Sequence, residues 1–483
     1  MKNLPMKVLI ATSEAQPFIK TGGLADVAGT LPIALKKLGV DVRVILPKYR
    51  IMNEQYYGKL KKLCNFNIKL GWRSQYCGIE VYEHKGVTFY FVDNEYYFAR
   101  GYVYGGGGND EAERFGFFSK AVLEAMPHID FFPDVLHCND WQTGMTAALL
   151  KLQYKDKKEY SSIRTLFTIH NLRYQGVFER GFADELLSLG KSAFDEKQLE
   201  YFGNVNFLKA GLVYADAIST VSPTYAKEIQ TSEHGETLEN VLRARSNVLH
   251  GILNGIDHDE YDPRTDKAIA ARYPLKTMRG KAVCRSALRQ ELNLTQEGSD
   301  AAIIAMVTRL TEQKGMDIVE YAIDELMKRN VQLAILGSGE ARYCDVFARA
   351  VSKYPGRIAL RFEYNESLAH RFYAGADMFL MPSAFEPCGL SQMLALRYGT
   401  IPIVRETGGL IDSIPPYNKI TGEGLGFTFA RYDSDDLVGA VDRALDVYFN
   451  NTKQWKTMIA RALETDYGWE SSARKYIELY NNI

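Results

Sequence analysis

The chain has 483 residues, too many for one hydrophobic core, and length alone implies roughly two to four domains. Its 58 Lys and Arg balance 59 Asp and Glu to a formal charge of −1, which argues against a nucleic-acid binder driven by bulk charge. Hydrophobic residues make up 46% and charged residues 24%, a globular balance, and no run approaches the roughly 18 apolar residues of a membrane span.

In chain order, Val8-Leu9-Ile10-Ala11-Thr12 is a short apolar segment that reads as a buried strand and is too short for a secretion signal. Lys20-Thr21-Gly22-Gly23-Leu24-Ala25-Asp26-Val27 follows, after which apolar residues recur at helical spacing from Leu24 to Leu38 and Gly39 marks the stop. This is a strand-to-helix turn at the carboxyl end of a parallel strand, where open α/β sheets take ligands. Its glycines allow close approach of the backbone, the helix start offers N–H groups to an anion, and Lys20 adds a positive charge. A lone double glycine serves a plain tight turn equally well.

Val42–Leu46 reads as a second strand closed by Pro47, and an aromatic β-rich region runs from Phe66 to Val92. Tyr104 then leads into Gly105–Gly108, expected to be a mobile loop or lid, before a helix over Glu111–Met126. Pro133–His137, Thr165–His170 and Ala217–Val221 read as buried strands, and Ser222-Pro223 opens a helix. A change of domain is expected near Val248–Asp257. A second series follows, with strands at Ala302–Val307, Val331–Leu336, Ile358–Phe362, Met378–Met381 and Thr400–Val404. The expected division is 1–248 and 249–464, with the terminal helix within 465–483 packing back on the first domain. Each half opens with a strand, a loop carrying Lys and Gly, and a helix, so both read as doubly wound α/β domains.

Arg309 and Lys314 lie in the loop after the second half's first strand, beside Gly315. Two cations there suit a diphosphate, whose charge is spread over several oxygens. Thr407-Gly408-Gly409 forms another glycine turn able to hold phosphate oxygens, while Gly337-Ser338-Gly339-Glu340 reads as a plain turn. In Phe385-Glu386-Pro387-Cys388-Gly389-Leu390, an acid is followed by a stiffening proline and a backbone-freeing glycine, which suits a polyhydroxylated ligand. Asp140 and His170 are polar residues just past or at strand ends. A lone histidine in such a place more often serves the structure. The cysteines at 64, 77, 138, 284, 344 and 388 form no C-x-x-C pair, so zinc is not indicated and a reduced, cytoplasmic setting is expected.

These blocks, together with His137–Trp141 and Thr168–Leu172, resemble the bacterial glycogen synthase and plant starch synthase family across almost the whole chain. The resemblance implies a retaining glycosyltransferase of GT-B type: two Rossmann-like doubly wound domains facing across a deep cleft. It implies transfer of glucose from ADP-glucose to the non-reducing end of an α-1,4-glucan such as glycogen, with no metal or other cofactor and with no nucleic-acid or membrane partner. By match, Arg309 and Lys314 neutralise the leaving diphosphate, and Glu386 with Cys388, Gly389 and Leu390 holds the glucosyl hydroxyls. His170 lies by the anomeric carbon, with Asp140 beside the sugar. Substrate contacts extend to Lys20, Gly22, Gly23, Asp26, Tyr104, Asn171, Asn254, Thr407, Gly408 and Gly409, and Tyr364 packs on adenine. Leu394 stands where many related retaining transferases carry a second Glu. The alternatives are a same-fold enzyme using UDP-glucose or another acceptor, a nicotinamide-dependent oxidoreductase, and a glucan-binding protein without turnover. Against the oxidoreductase, neither half shows G-x-G-x-x-G directly after its first strand.

Overall fold

The computed structural model describes residues 5–105, 107–195, 197–274, 278–295, 300–363 and 365–483. The chain divides into two compact units, one formed by Met1–Gly255 with Trp469–Ile483 and the other by Ile256–Gly468. The second unit is thus inserted, in sequence, ahead of the last helix of the first.

The first unit is built on a nine-stranded sheet. Its strands are β1 Lys7–Ala11, β2 Asp41–Pro47, β3 Lys61–Leu70, β4 Arg73–His84, β5 Val87–Asp93, β6 Val135–Asn139 and β7 Arg164–Ile169, then β11 Ala217–Thr220 and β12 Leu249–Gly251. The order is β12-β11-β7-β6-β1-β2-β5-β4-β3, parallel except where β4 runs against β3 and β5. Val8 to Ala11 are buried, as a strand covered by helices on both faces requires. A separate three-stranded sheet joins β8 Val177–Glu179, β10 Asn204–Asn206 and β9 Glu200–Tyr201. Strands of two or three residues carry no readable alternation, and this sheet was not expected from the sequence.

Two helices of this unit, Trp141–Leu149 and Phe207–Tyr214, pack so closely that only glycine fits where they cross. A Cβ on Gly144 would stand 1.9 Å from the Phe207 carbonyl oxygen, and on the sheet side of the second helix one on Gly211 would stand 2.4 Å from the Phe167 ring of β7. Gly144→Ala is expected to destabilise the protein by about 1–3 kcal/mol, the usual range for overpacking, read as a lower denaturant midpoint at unchanged slope.

The last helix, Trp469–Asn482, lies against the Gly23–Lys37 helix of the first unit, and the Ser472 hydroxyl donates to the Leu253 carbonyl at 2.5 Å. The Tyr480 hydroxyl lies 2.8 Å from His137 Nδ1 on β6, while His137 Nε2 is 2.6 Å from Thr168 Oγ1. Burial pushes the His137 pKa down to about 3, so the ring is neutral and bonds on both sides.

The second unit carries β13 Ala302–Val307, β14 Val331–Leu336, β15 Ile358–Arg361, β16 Met378–Met381, β17 Ile401–Arg405 and β18 Phe427–Phe429. All pairings are parallel, in the order β15-β14-β13-β16-β17-β18. This is the doubly wound order in which the direction of winding reverses between the first and fourth strands, and ligands bind beyond the carboxyl ends at that reversal. Here the reversal falls between β13 and β16.

The stretch expected as a glycine lid is shorter than the sequence implies. The long helix begins at Gly108 and runs to His128, with Gly107 as its cap at φ 64°. Asp110 and Glu111 sit in its first turn, where acids suit the positive helix end. Both are paired: Arg100 binds Asp110, and Arg114 binds Glu111. Gly106 lies outside the described residues.

Candidate active site

In the first unit the polar groups gather at the carboxyl ends of β1 and β6, neighbours in the sheet. Past β1 the chain turns through Thr12, Ser13 and Glu14, all buried. The Thr21 amide and hydroxyl both donate to Glu14 Oε2, at 2.5 and 2.8 Å, so this carboxylate anchors the start of the glycine turn. Burial lifts the Glu14 pKa to about 7, although the two Thr21 bonds favour the charged form. Ser13 Oγ is 2.7 Å from the Tyr104 hydroxyl, and the nearby Glu14 charge raises the Tyr104 pKa. Lys20 Nζ reaches Asp26 Oδ1 at 2.7 Å and Gln16 Oε1 at 3.3 Å. Gly22 and Gly23 are exposed at the rim.

Past β6, Asp140 has φ 55° and ψ −178°, a backbone region close to one occupied essentially by glycine. Such a residue costs on the order of 1–3 kcal/mol and persists only where its surroundings hold it. They do so here: Asp140 Oδ1 accepts the His170 amide at 2.7 Å, and the Asp140 amide donates to the Thr168 carbonyl at 3.0 Å. Burial raises the Asp140 carboxyl to about 7, and the Glu14 charge adds to the rise. His170 Nε2 is 2.9 Å from Asn139 Oδ1, and burial lowers its pKa to about 3, which leaves the imidazole neutral. Asn254 is buried, and its Oδ1 has no hydrogen-bond partner among the described residues.

In the second unit the loops after β13 and β16 meet at the reversal of winding. Lys314 Nζ lies 2.6 Å from Glu386 Oε2, and the Ser383 hydroxyl donates to the same oxygen at 3.0 Å. The approach depends on Gly315, which has φ 76° and whose Cβ would fall 2.1 Å from the Pro382 carbonyl oxygen. The Gly409 amide donates to the Glu386 carbonyl at 3.0 Å, and a Cβ on Gly409 would be 2.3 Å from the Cys388 carbonyl oxygen. The Thr407–Gly409 turn is thereby fastened to the Glu386–Leu390 loop. Gln392 Nε2 fastens that loop from below, donating to Cys388, Gly389 and Ser413 at 3.1, 2.9 and 2.9 Å. Arg309 stays at the rim, exposed, its guanidinium held by a long 3.4 Å bond to Gln313 Oε1.

Two clusters therefore exist, each within its own unit: Lys20, Asp26, Tyr104, Asp140, His170 and Asn171 around β1 and β6, and Lys314, Glu386 and the Cys388–Leu390 and Thr407–Gly409 loops around β13 and β16. Tyr364 lies outside the described residues. Sequence reasoning passed over Glu14. Its one signal is a carboxylate three residues past a buried strand, in Ala11-Thr12-Ser13-Glu14.

Residues 7–244 match the family model described as "Starch synthase catalytic domain", and residues 290–462 match "Glycosyl transferases group 1". The chain is 49% identical over 478 residues to a glycogen synthase of Anoxybacillus flavithermus, covering 99% of this chain and 98% of that one. It is 48% identical over 479 residues to a glycogen synthase of Clostridium novyi, covering 99% of each. Among solved structures, the catalytic domain of Starch Synthase IV from Arabidopsis thaliana, bound to ADP and acarbose, matches with TM-score 0.90 at 34% identity over 99% of both chains. Sucrose-phosphate synthase from Thermosynechococcus elongatus matches with TM-score 0.61 at 17% identity over 99% of this chain and 98% of that one, a likeness of fold.

Proposed function

The chain belongs to the glycogen synthase and starch synthase family, and on that premise we propose how its residues move glucose from ADP-glucose to the non-reducing end of an α-1,4-glucan with retention. As the glycosyl–phosphate bond breaks, the sugar gains oxocarbenium character and negative charge grows on ADP. Fixed cations near that charge lower the barrier because their orientation is set before the reaction begins. Arg309 and Lys314 take this role, with the Thr407-Gly408-Gly409 turn beside the phosphates. Glu386, already fixed by Lys314 and Ser383, accepts glucosyl hydroxyls alongside the Cys388–Leu390 backbone.

In the first unit, Lys20 with Gly22 and Gly23 binds the donor, while Asp26 orients Lys20. Asp140 grips the His170 amide, which sets the segment whose His170 carbonyl faces the anomeric carbon. Tyr104, Asn171 and Asn254 line the sugar and acceptor side, and Tyr364 packs on adenine. The Met1–Gly255 unit, with Trp469–Ile483, serves as the catalytic and acceptor domain and Ile256–Gly468 as the nucleotide-sugar domain, a division seven residues later than the sequence placed it. The two side-chain cations supply the charge that a metal would otherwise bring, so chelation is expected to leave turnover intact. The reaction is placed in the cytoplasm, which suits six cysteines with no disulfide among them.

The observation that carries these roles is the Lys314–Glu386 pair at the winding reversal of the second unit, in a chain matched over 99% of its length by glycogen synthases. Incubation with ADP-glucose and glycogen should release ADP and lengthen the glucan through new α-1,4 links, with UDP-glucose used at least tenfold less well. Absence of ADP release with every glucan offered would end the assignment, and equal use of UDP-glucose would end the base preference.

A further inference from the structure

Glu14 belongs to no step above, yet it is buried at the end of β1 between the two first-unit segments assigned to the donor. One of its oxygens takes both the amide and the hydroxyl of Thr21, the residue after Lys20, at 2.5 and 2.8 Å. Tyr104 stands close enough to the same carboxylate to raise its own pKa through the Glu14 charge, and its hydroxyl is held by Ser13 Oγ at 2.7 Å. Glu14 is itself held rigid: its amide lies 3.4 Å from Thr12 Oγ1, and its carbonyl accepts that hydroxyl at 2.9 Å. The segment behind it is tied to the helix that carries Asp26, through the Gln16 amide and the Ala25 carbonyl at 2.9 Å. Glu14 thus holds the residue next to Lys20, while its neighbour Ser13 holds Tyr104, 91 positions further along the chain.

We infer that Glu14 is a positioning residue for the sugar-nucleotide donor, acting through Thr21 on the Lys20–Gly23 turn beside Tyr104 of the opposite loop. The inference rests on the donor roles proposed for Lys20 and Tyr104. Both Thr21 groups donate, so the ionised carboxylate is the form that holds the turn most firmly. The groups facing Glu14 from the elements around it are Thr21 and Asp26 on the turn and its helix, Tyr104 on the loop before the Gly108–His128 helix, Tyr49 beyond β2, and Asp140 beyond β6. Tyr49 and Tyr104 are both held well above the ordinary tyrosine range, chiefly by burial, and stay neutral. Glu14 itself gains a proton as pH falls through about 7, and its grip on the turn then slackens.

The test is Glu14→Gln, which keeps the shape and the acceptor but not the charge, compared with the wild type in ADP-glucose and glycogen kinetics between about pH 6 and 8. The expected result is a rise of about tenfold in KM for ADP-glucose at the alkaline end, as lost charge assistance to two hydrogen bonds predicts. KM for glycogen stays within about twofold. The ratio of wild-type to variant kcat/KM for the donor grows with pH, and Asp140, common to both proteins, largely cancels from that ratio. Thr21→Val should weaken the donor in the wild type and do less in the Glu14→Gln background, because the two share one contact. A flat ratio across pH, equal losses for donor and glucan, or full additivity would each overturn the inference. Should Glu14→Gln fail to fold, Thr21→Val alone decides it: unchanged KM for ADP-glucose rejects the coupling. A wild type that releases no ADP refutes the donor reading instead, which separates the two failures.

Discussion

Lys314→Ala is expected to lower kcat by about 10²–10³, the loss seen when one preorganised charge-stabilising donor is removed from a reacting centre. The structure adds a second consequence. Lys314 is bonded to Glu386 at 2.6 Å, and both side chains are largely buried, 17% and 7% exposed. Alanine leaves the carboxylate with the Ser383 hydroxyl as its remaining side-chain donor among the described residues, so stability falls too, by about 1–3 kcal/mol. Arg309 provides the contrast. It is exposed and held by one long bond, so Arg309→Ala should cut kcat on a similar scale while stability stays within about 0.5 kcal/mol. Steady-state kinetics and thermal unfolding of the two variants separate the effects. Near-normal turnover in both would remove the pair from the mechanism, and an unchanged Tm in Lys314→Ala would show that Glu386 does not depend on its cation.

Arg114→Ala carries the largest expected loss of stability. The guanidinium is 0% exposed and pairs with buried Glu111 one turn away. Its Nε donates to the Tyr97 carbonyl at 2.9 Å and one Nη to the Val103 carbonyl at 3.2 Å. It therefore fixes the segment that delivers Tyr104. Breaking one side of a buried pair costs about 3–5 kcal/mol, because the stranded charge keeps its desolvation penalty. For a unit of this size that is a drop of roughly 6–20 °C in Tm, measurable by circular dichroism. Arg114→Met with Glu111→Gln should cost less than Arg114→Ala alone, since no stranded charge remains. A double variant that costs as much as the single one would assign the loss to the two carbonyls, whose donor both variants lack, instead of the pair.

The alternation of strands and helices was legible because buried parallel strands are continuous apolar runs, and β1, β13 and β16 fall within a residue of their expected limits. The turn segments were legible for a related reason: Lys, Gly and Thr after an apolar run mark a strand end whatever the fold around it. Glu14 was not legible. A glutamate past a strand is ordinarily solvated, and its burial depends on Thr21 closing over it and on Tyr104 arriving from 90 residues later. Arg114 escaped for the same reason, because a charged residue in a helix reads as surface until its carbonyl partners are in place. The Gly105–Gly108 run misled in the other direction. Glycine weakens a helix start, but the acid–guanidinium pairs of Asp110 and Glu111 and the capping position of Gly107 carry the helix back to Gly108.

Tyr480 and His137 touch across 343 residues of chain, the whole of the second unit among them. A ribosome adding about 5–20 residues per second needs roughly 17–70 s to cover that span. Throughout that interval the nascent first unit lacks its closing helix, and the side of Gly23–Lys37 that this helix will cover stays open to chaperones and proteases. The early half first becomes whole only once Trp469–Asn482 has emerged, and a message broken ahead of those codons leaves that side of Gly23–Lys37 uncovered.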